Sequence, residues 1–216
     1  MLGPHSSIDI YQGNTHGDTP LHVAAFEGNW QKAQLLLKDK TIDVNARNNY
    51  YNAPIHYAVS QEHVEVLKVL LEASTAVDVN AIDKDTYAPL HYASYKGHLE
   101  MTQTLLNNVN IDVNVKDKYE NAPLHYAAFE GHIELLKALL ANKDIDVNIK
   151  NQHENTPLYY AASKGRLEVV KALVVATGIQ IMIKNKYGKT PLDTASWNSH
   201  PECLDVLYHA AHKQEG

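Results

Sequence analysis

Residues 122–140 read Ala-Pro-Leu-His-Tyr-Ala-Ala-Phe-Glu-Gly-His-Ile-Glu-Leu-Leu-Lys-Ala-Leu-Leu, and this stretch decides the fold because it recurs along the chain. Its proline is the ruler. Pro20, Pro54, Pro89, Pro123, Pro157 and Pro191 are spaced by 34, 35, 34, 34 and 34 residues. Each is followed by Leu or Ile, then by His22, His56, His91, His125, Tyr159 or Asp193, and two residues later by an alanine. Asp-Val-Asn closes four units at Asn45, Asn80, Asn114 and Asn148, while the fifth ends Gln180-Ile181-Met182. A fixed period near 34 residues is the signature of a stacked repeat rather than of a globule.

Local physics assigns the elements within a unit. Proline at the first helical position loses no needed N–H, and Thr19, Thr156 and Thr190 before it can cap the helix. Leu21, Ala24 and Ala25 fall on one face, a stripe small enough for close helix contact. Gly28, Gly97, Gly131 and Gly165 stop this first helix. A second helix follows, as at 133–140, with Leu135, Leu136, Leu139 and Leu140 as its apolar side. Neither helix can bury its face alone, so units must stack. The polar stretches between units, such as 46–52, read as projecting hairpin turns.

The combination T-P-L-H-x-A-A, G-H-L-E, a leucine-rich run and D-V-N resembles the ankyrin repeat family over more than nine-tenths of the chain. The resemblance implies an all-α solenoid of helix-turn-helix units, with six repeats over residues 14–216 and the last acting as a C-terminal cap. Residues 1–13 are expected to be a degenerate N-terminal segment or the remnant of a preceding repeat, since Ser7-Ile-Asp-Ile-Tyr11 resembles a repeat ending. The sequence departs from the family pattern in places. Tyr51, Thr86, Glu120 and Glu154 replace the usual hairpin-tip glycine, which survives at Gly17 and Gly188. Extra residues follow the second helices, two of them in the 72–77 loop. Ala53, Ala88 and Ala122 replace the capping threonine, a loss of about 0.5–2 kcal/mol each unless Asn52 and Asn121 compensate.

Composition excludes several classes. Lys+Arg 19 against Asp+Glu 25 gives net −6, which argues against a nucleic-acid binder needing a basic stripe. One cysteine, Cys203, excludes an internal disulfide and multi-cysteine zinc patterns and fits a reducing compartment. No apolar run reaches the ~18 residues of a membrane span, and no secretory signal is visible. The expected location is the cytosol, of the source cell or of a host that receives the chain. Lysine far outnumbers arginine, a bias that resembles intracellular bacteria and protists.

Chemical motifs resolve into structural ones. Histidines one repeat apart lie about 10 Å from each other, the spacing of packed helices, too far to share a metal whose ligand bonds are near 2 Å. The resemblance gives the T-P-L-H set structural hydrogen bonds instead. Gly188-Lys189-Thr190 mimics the end of a phosphate loop, but Ile183 stands where the first glycine is required. His200, Cys203 and Asp205 on one short helix cannot converge as a triad. No cofactor, metal or catalytic site is expected.

Binding must therefore come from what varies. In ankyrin proteins the hairpin tips and the open side of the first helix form a concave face. Tip residues here run His16, Tyr50, Asp85, Tyr119, His153 and Tyr187, with Tyr51 and Tyr87 beside them. The first-helix row runs Phe26, Ser60, Tyr95, Phe129, Ser163 and Trp197; Phe26 lies about 140° from Leu21 at roughly 100° per residue. The candidate partner-binding set is Phe26, Tyr50, Tyr51, Tyr87, Tyr95, Lys96, Tyr119, Phe129, Glu130 and Trp197, with Lys96, Glu120 and Glu130 as a charged rim. Tyr95 and Phe129 are expected to point away from the stack, and Tyr57, Tyr92, Tyr126 and Tyr160 to pack between helices. The pattern L-x5-D-V-N also resembles asparaginyl hydroxylation sites, here Asn45, Asn80, Asn114 and Asn148. The expected function is a monomeric, non-catalytic scaffold for a protein partner. The alternative is a targeting or regulatory arm of a larger multidomain protein or enzyme, including an effector delivered by an intracellular microbe.

Overall fold

The computed structural model describes residues 14–73 and 76–214; the segment 1–13 lies outside them. Twelve helices and no strand occur among the described residues. The first helices of the units are α1 (Pro20–Phe26), α3 (Pro54–Ser60), α5 (Pro89–Lys96), α7 (Pro123–Glu130), α9 (Pro157–Ser163) and α11 (Pro191–Trp197). The second helices are α2 (Trp30–Leu36), α4 (Val64–Ala73), α6 (Leu99–Leu106), α8 (Ile133–Leu140), α10 (Leu167–Val174) and α12 (Pro201–Gln214). Two or three residues join the helices of a pair, too few for anything but a reversal of direction.

Each first helix packs on the next first helix and on its own partner, and the second helices form a parallel row of contacts from α2 to α12. This nearest-neighbour pattern is that of a solenoid. The recurring alanines, such as Ala58, Ala93 and Ala127, are fully buried, as are Leu90, Leu124 and Leu158 beside them. Small residues let first helices approach closely, while Leu67, Met101, Leu105, Leu136 and Leu139 fill the space toward the second row. The extra residues expected in the 72–77 loop fall partly in the helix: α4 runs to Ala73 and has 10 residues against 7 or 8 in α2, α6, α8 and α10.

All the hairpin tips that lost glycine keep its backbone. Tyr51, Thr86, Glu120 and Glu154 have φ of 60°, 67°, 60° and 56°, matching 76° at Gly17 and 72° at Gly188. The repeat geometry overrides a local preference against the left-handed region.

Candidate protein-binding groove

In the second, third and fourth units the groove wall is built by two side chains, a histidine and the tyrosine that follows it. Nδ1 of His56, His91 and His125 accepts the N–H of Ala53, Ala88 and Ala122, each at 3.0 Å. On the far side of the ring, Nε2 of His22, His91 and His125 meets the carbonyl of Asn52, Asn121 and Asn155 in the next unit at 2.8–3.0 Å. His22, His91 and His125 thus tie a helix start to the neighbouring hairpin, while His56 Nε2 has no hydrogen-bond partner. Asn52 and Asn121 contribute those carbonyls and not the expected caps; the Asn121 side-chain oxygen accepts from Asn151 instead. In the last unit Asp193 replaces histidine, and its carboxylate accepts the Thr190 N–H at 2.8 Å.

The tyrosines that follow these histidines bridge the same unit's hairpin. Tyr92 and Tyr126 donate to Asp83 and Asp117, both at 2.5 Å, and the phenols of Tyr57 and Tyr160 accept from Asn48 and Asn151 at 2.9 Å. Three of the rings stand edge-on to the preceding unit: Tyr57 against Phe26, Tyr126 against Tyr95 and Tyr160 against Phe129, with centroids 5.6–6.1 Å apart. Burial and the bonded carboxylate raise the Tyr92 and Tyr126 hydroxyls well above their ordinary range.

The variable residues separate into exposed and engaged groups. Phe26, Tyr50, Tyr51, Tyr95, Tyr119 and Trp197 are exposed, Tyr95 at 55% and Trp197 at 85%. Phe129 is half-buried, contrary to the expectation that it clears the stack; Tyr160 holds its edge and the Lys164 ammonium lies 4.4 Å from its ring centre. Tyr87 is also half-buried among His91, Tyr92 and Tyr126. Lys96 does not stand free at a rim: its Nζ donates to the Ser60 carbonyl at 2.6 Å and lies 3.4 Å from Glu62. Between α5, α7 and α9 lies a pocket of about 180 Å³, lined by Tyr95, Asn121, His125, Tyr126, Phe129, Glu130 and Tyr160. Tyr126 and Tyr160, read from sequence as packing residues alone, thus form two of its walls.

A family model described as ankyrin repeats, three copies, matches residues 2–83, 42–117, 74–151 and 124–215. The chain belongs to the ankyrin repeat family. Among solved structures it is similar to the ankyrin repeat protein EF0377, with TM-score 0.82 and 27% identity over 91% of this chain and 98% of that one. An ankyrin repeat domain from Acinetobacter baumannii AYE gives TM-score 0.81 and 28% identity over 88% and 97%. A 61-residue stretch is 38% identical to Alpha-latrocrustotoxin-Lt1a of Latrodectus tredecimguttatus; it covers 28% of this chain and 4% of the toxin.

Two further devices hold this ankyrin stack in register. The D-V-N asparagines clamp the next unit's backbone with both ends of the amide. Asn45 donates to the Ala76 carbonyl at 2.7 Å and accepts from the Asp78 N–H at 2.9 Å, and Asn80, Asn114 and Asn148 repeat the pattern. The G-H histidines reach back to the end of the preceding first helix: His63, His132 and His200 meet the carbonyls of Phe26, Tyr95 and Ser163 at 3.0–3.2 Å. Their rings rest on Gly28, Gly97 and Gly165, where a Cβ would come within 2.7 Å. Glu62 replaces that glycine in the second unit, and His98 lies 2.8 Å from its carboxylate.

The same contacts account for the motif mimics. His200 faces the Ser163 carbonyl, and Cys203 is buried. Gly188 is a hairpin tip whose N–H reaches the Asn185 carbonyl, and Thr190 caps α11. Among the described residues, no group of three or more His, Cys, Asp or Glu is placed to hold a metal ion, and no helix is long and apolar enough to cross a membrane.

Proposed function

We propose that this chain is a non-catalytic, monomeric scaffold that recognises a protein partner through the face shared by its hairpin tips and first helices. The observation that carries the reading is the set of large aromatics with open surface on that face, centred on Tyr50, Tyr51, Tyr95 and Tyr119. Rings of this kind offer wide contact area with only two torsions to freeze, the composition of interface hot spots. A standard interface buries about 800 Å² per partner, which three or four adjacent ankyrin units can supply. Affinity capture with Tyr95→Ala and Tyr119→Ala tests it: each should weaken partner binding about ten- to thirty-fold, or ~1–2 kcal/mol, with folding intact. Normal binding by both folded variants would move the site elsewhere.

A second reading, an arm of a larger protein, is favoured by the toxin match, in which the similar stretch is a small part of a long chain. The cytosol, native or of a host, is the proposed location of the scaffold. Asn45, Asn80, Asn114 and Asn148 are the proposed hydroxylation positions in cells that hold such an enzyme. Mass spectrometry should find added oxygen at one or more of them, and four unmodified asparagines would remove the idea.

A further inference from the structure

The pocket between α5, α7 and α9 has a chemistry more specific than an apolar recess. Tyr95, Tyr126, Phe129 and Tyr160 supply aromatic walls, arranged as two edge-to-face pairs, Tyr95 with Tyr126 and Phe129 with Tyr160. The Tyr126 hydroxyl donates to the Asp117 carboxylate, which draws negative charge toward its ring. The remaining polar wall includes Glu130, half-buried at the end of α7.

Glu130 differs from most glutamates of the solenoid. In most of them a lysine holds the carboxylate from three or four residues away or from the next repeat, as in Glu134 with Lys137, Glu168 with Lys171, Glu120 with Lys116 and Glu62 with Lys96, at 2.8–3.4 Å. Glu72 and Glu202 also have no lysine partner among the described residues, but they are exposed, whereas Glu130 is half-buried. Glu130 has Tyr126, Ala127, Ile133 and Glu134 at the helical spacings and Lys164 one repeat on, but the Lys164 ammonium sits over the Phe129 ring, and no cationic nitrogen lies within 4 Å of the Glu130 carboxylate among the described residues. A half-buried carboxylate with no cation in direct contact leaves room for a counter-charge to pair with it. His125, the other titratable wall, does not provide it, because burial pushes its imidazole down to about 4 and keeps it neutral near pH 7.

We propose that this pocket receives the cationic side chain of an arginine or lysine on the protein partner, with Glu130 as counter-ion and the ring faces as cation–π surfaces. The inference rests on the groove reading above and names the chemistry that enters it. Aromatic faces beside a partly desolvated carboxylate form a receptor for a cation, since both terms strengthen as water leaves. The chain already places a cation on these rings: the Lys164 ammonium lies over Phe129 at 4.4 Å. Arginine should bind more tightly than lysine, because a planar guanidinium can stack on a ring and pair with a carboxylate at once.

The test uses the 216-residue chain and the capped pentapeptide Gly-Gly-Arg-Gly-Gly, with lysine, citrulline and glutamate analogues at the central position, read by NMR titration. Shifts should gather on Tyr95, Tyr126, Phe129 and Tyr160. Citrulline, nearly the same shape without charge, should bind at least about tenfold more weakly, and the glutamate peptide should not bind. Glu130→Gln should weaken the arginine peptide by a similar factor and leave citrulline unchanged, while Lys164→Met should strengthen arginine binding by removing a like charge. Equal binding of arginine and citrulline overturns the proposal, as does an arginine peptide that shifts nothing up to about 10 mM or an inert Glu130→Gln. The underlying reading fails separately. If Tyr119→Ala abolishes partner capture and Glu130→Gln does not, the groove stands and the cation pocket falls. If the arginine peptide behaves as expected while Tyr95→Ala and Tyr119→Ala leave capture intact, the pocket stands and the groove reading falls.

Discussion

Thr86 occupies a hairpin tip at φ 67° and leaves its buried hydroxyl without a hydrogen-bond partner. A β-branched residue in the left-handed region is strained, at roughly 1–2 kcal/mol. Glycine removes the strain and the unsatisfied hydroxyl together. Thr86→Gly should therefore stabilise the chain by about 1 kcal/mol, a rise in melting temperature of about 2–4 °C; calorimetry showing a lower melting temperature would mean that the threonine side chain packs usefully. Gly97 is the opposite case. Its φ of 81° and the His132 ring, 2.6 Å from any added Cβ, make Gly97→Ala costly twice over. In a His132→Ala background only the backbone part of that cost should remain, and a double-mutant cycle by denaturant unfolding measures the difference. A cycle with no coupling would contradict the stacked geometry.

At the scale of elements, the starts of α3, α5 and α7 lack a side-chain cap, whereas Thr19, Thr156 and Thr190 cap α1, α9 and α11. The N–H groups at the third helical position are not orphaned, because His56, His91 and His125 donate back to the alanine carbonyls at 2.9–3.0 Å. Ala53→Thr, Ala88→Thr and Ala122→Thr should accordingly gain only about 0.5 kcal/mol each, the low end for a cap. Thr19 beside His22 shows that threonine and histidine fit together in this slot. Melting temperatures unchanged in all three would show that the histidine arrangement already satisfies these helix starts. The same histidines make the stack acid-sensitive. Burial pushes His56 and His125 down to about 4 from 6.5 and lowers His22 and His91 as well. Between those values the unfolded chain binds more protons than the folded one, so stability is complete above about pH 6.5 and falls toward pH 4. His56 and His125 should each lose on the order of 3 kcal/mol across that window. Urea unfolding at pH 7.5, 5.5 and 4.5 reads it directly; a flat profile would place these rings in contact with water.

At the scale of the whole molecule, the substantial helix–helix contacts among the described residues join each unit to its neighbours, so length grows with repeat number. A compact globule of this size would have a radius of gyration near 17 Å, and solution scattering should give a larger value. Binding and folding should separate along the same chain. Tyr126→Ala breaks the bond to Asp117 and the ring contacts with Tyr87, His91 and Tyr95, so it should lower stability by several kcal/mol, within the ~3–5 of large aromatic truncations. Tyr95→Ala should leave stability within about 1 kcal/mol, since its ring is mostly in water. Phe129→Ala should fall between the two, because Phe129 is wedged against Tyr160 and Lys164. Equal losses for all three in denaturant unfolding would erase the distinction between wall and surface.

The 34-residue period, the proline at each first helix and the apolar faces were sufficient for the architecture, because helix start, small-residue contact and stacking need only residues near in sequence. The exposed aromatic row was legible for the same reason, as an angle around a helix. What the site does with those residues depended on partners one repeat away. Ser60 and Glu62 of the preceding unit hold Lys96, and Tyr160 and Lys164 of the next unit cover Phe129, contacts that no local pattern encodes. Glu130 lies beside four rings with no ion pair for the same reason. Contacts some 30–37 residues apart are set by how one unit seats on the next, and that seating is decided by packing in three dimensions, since a single unit has no buried face of its own.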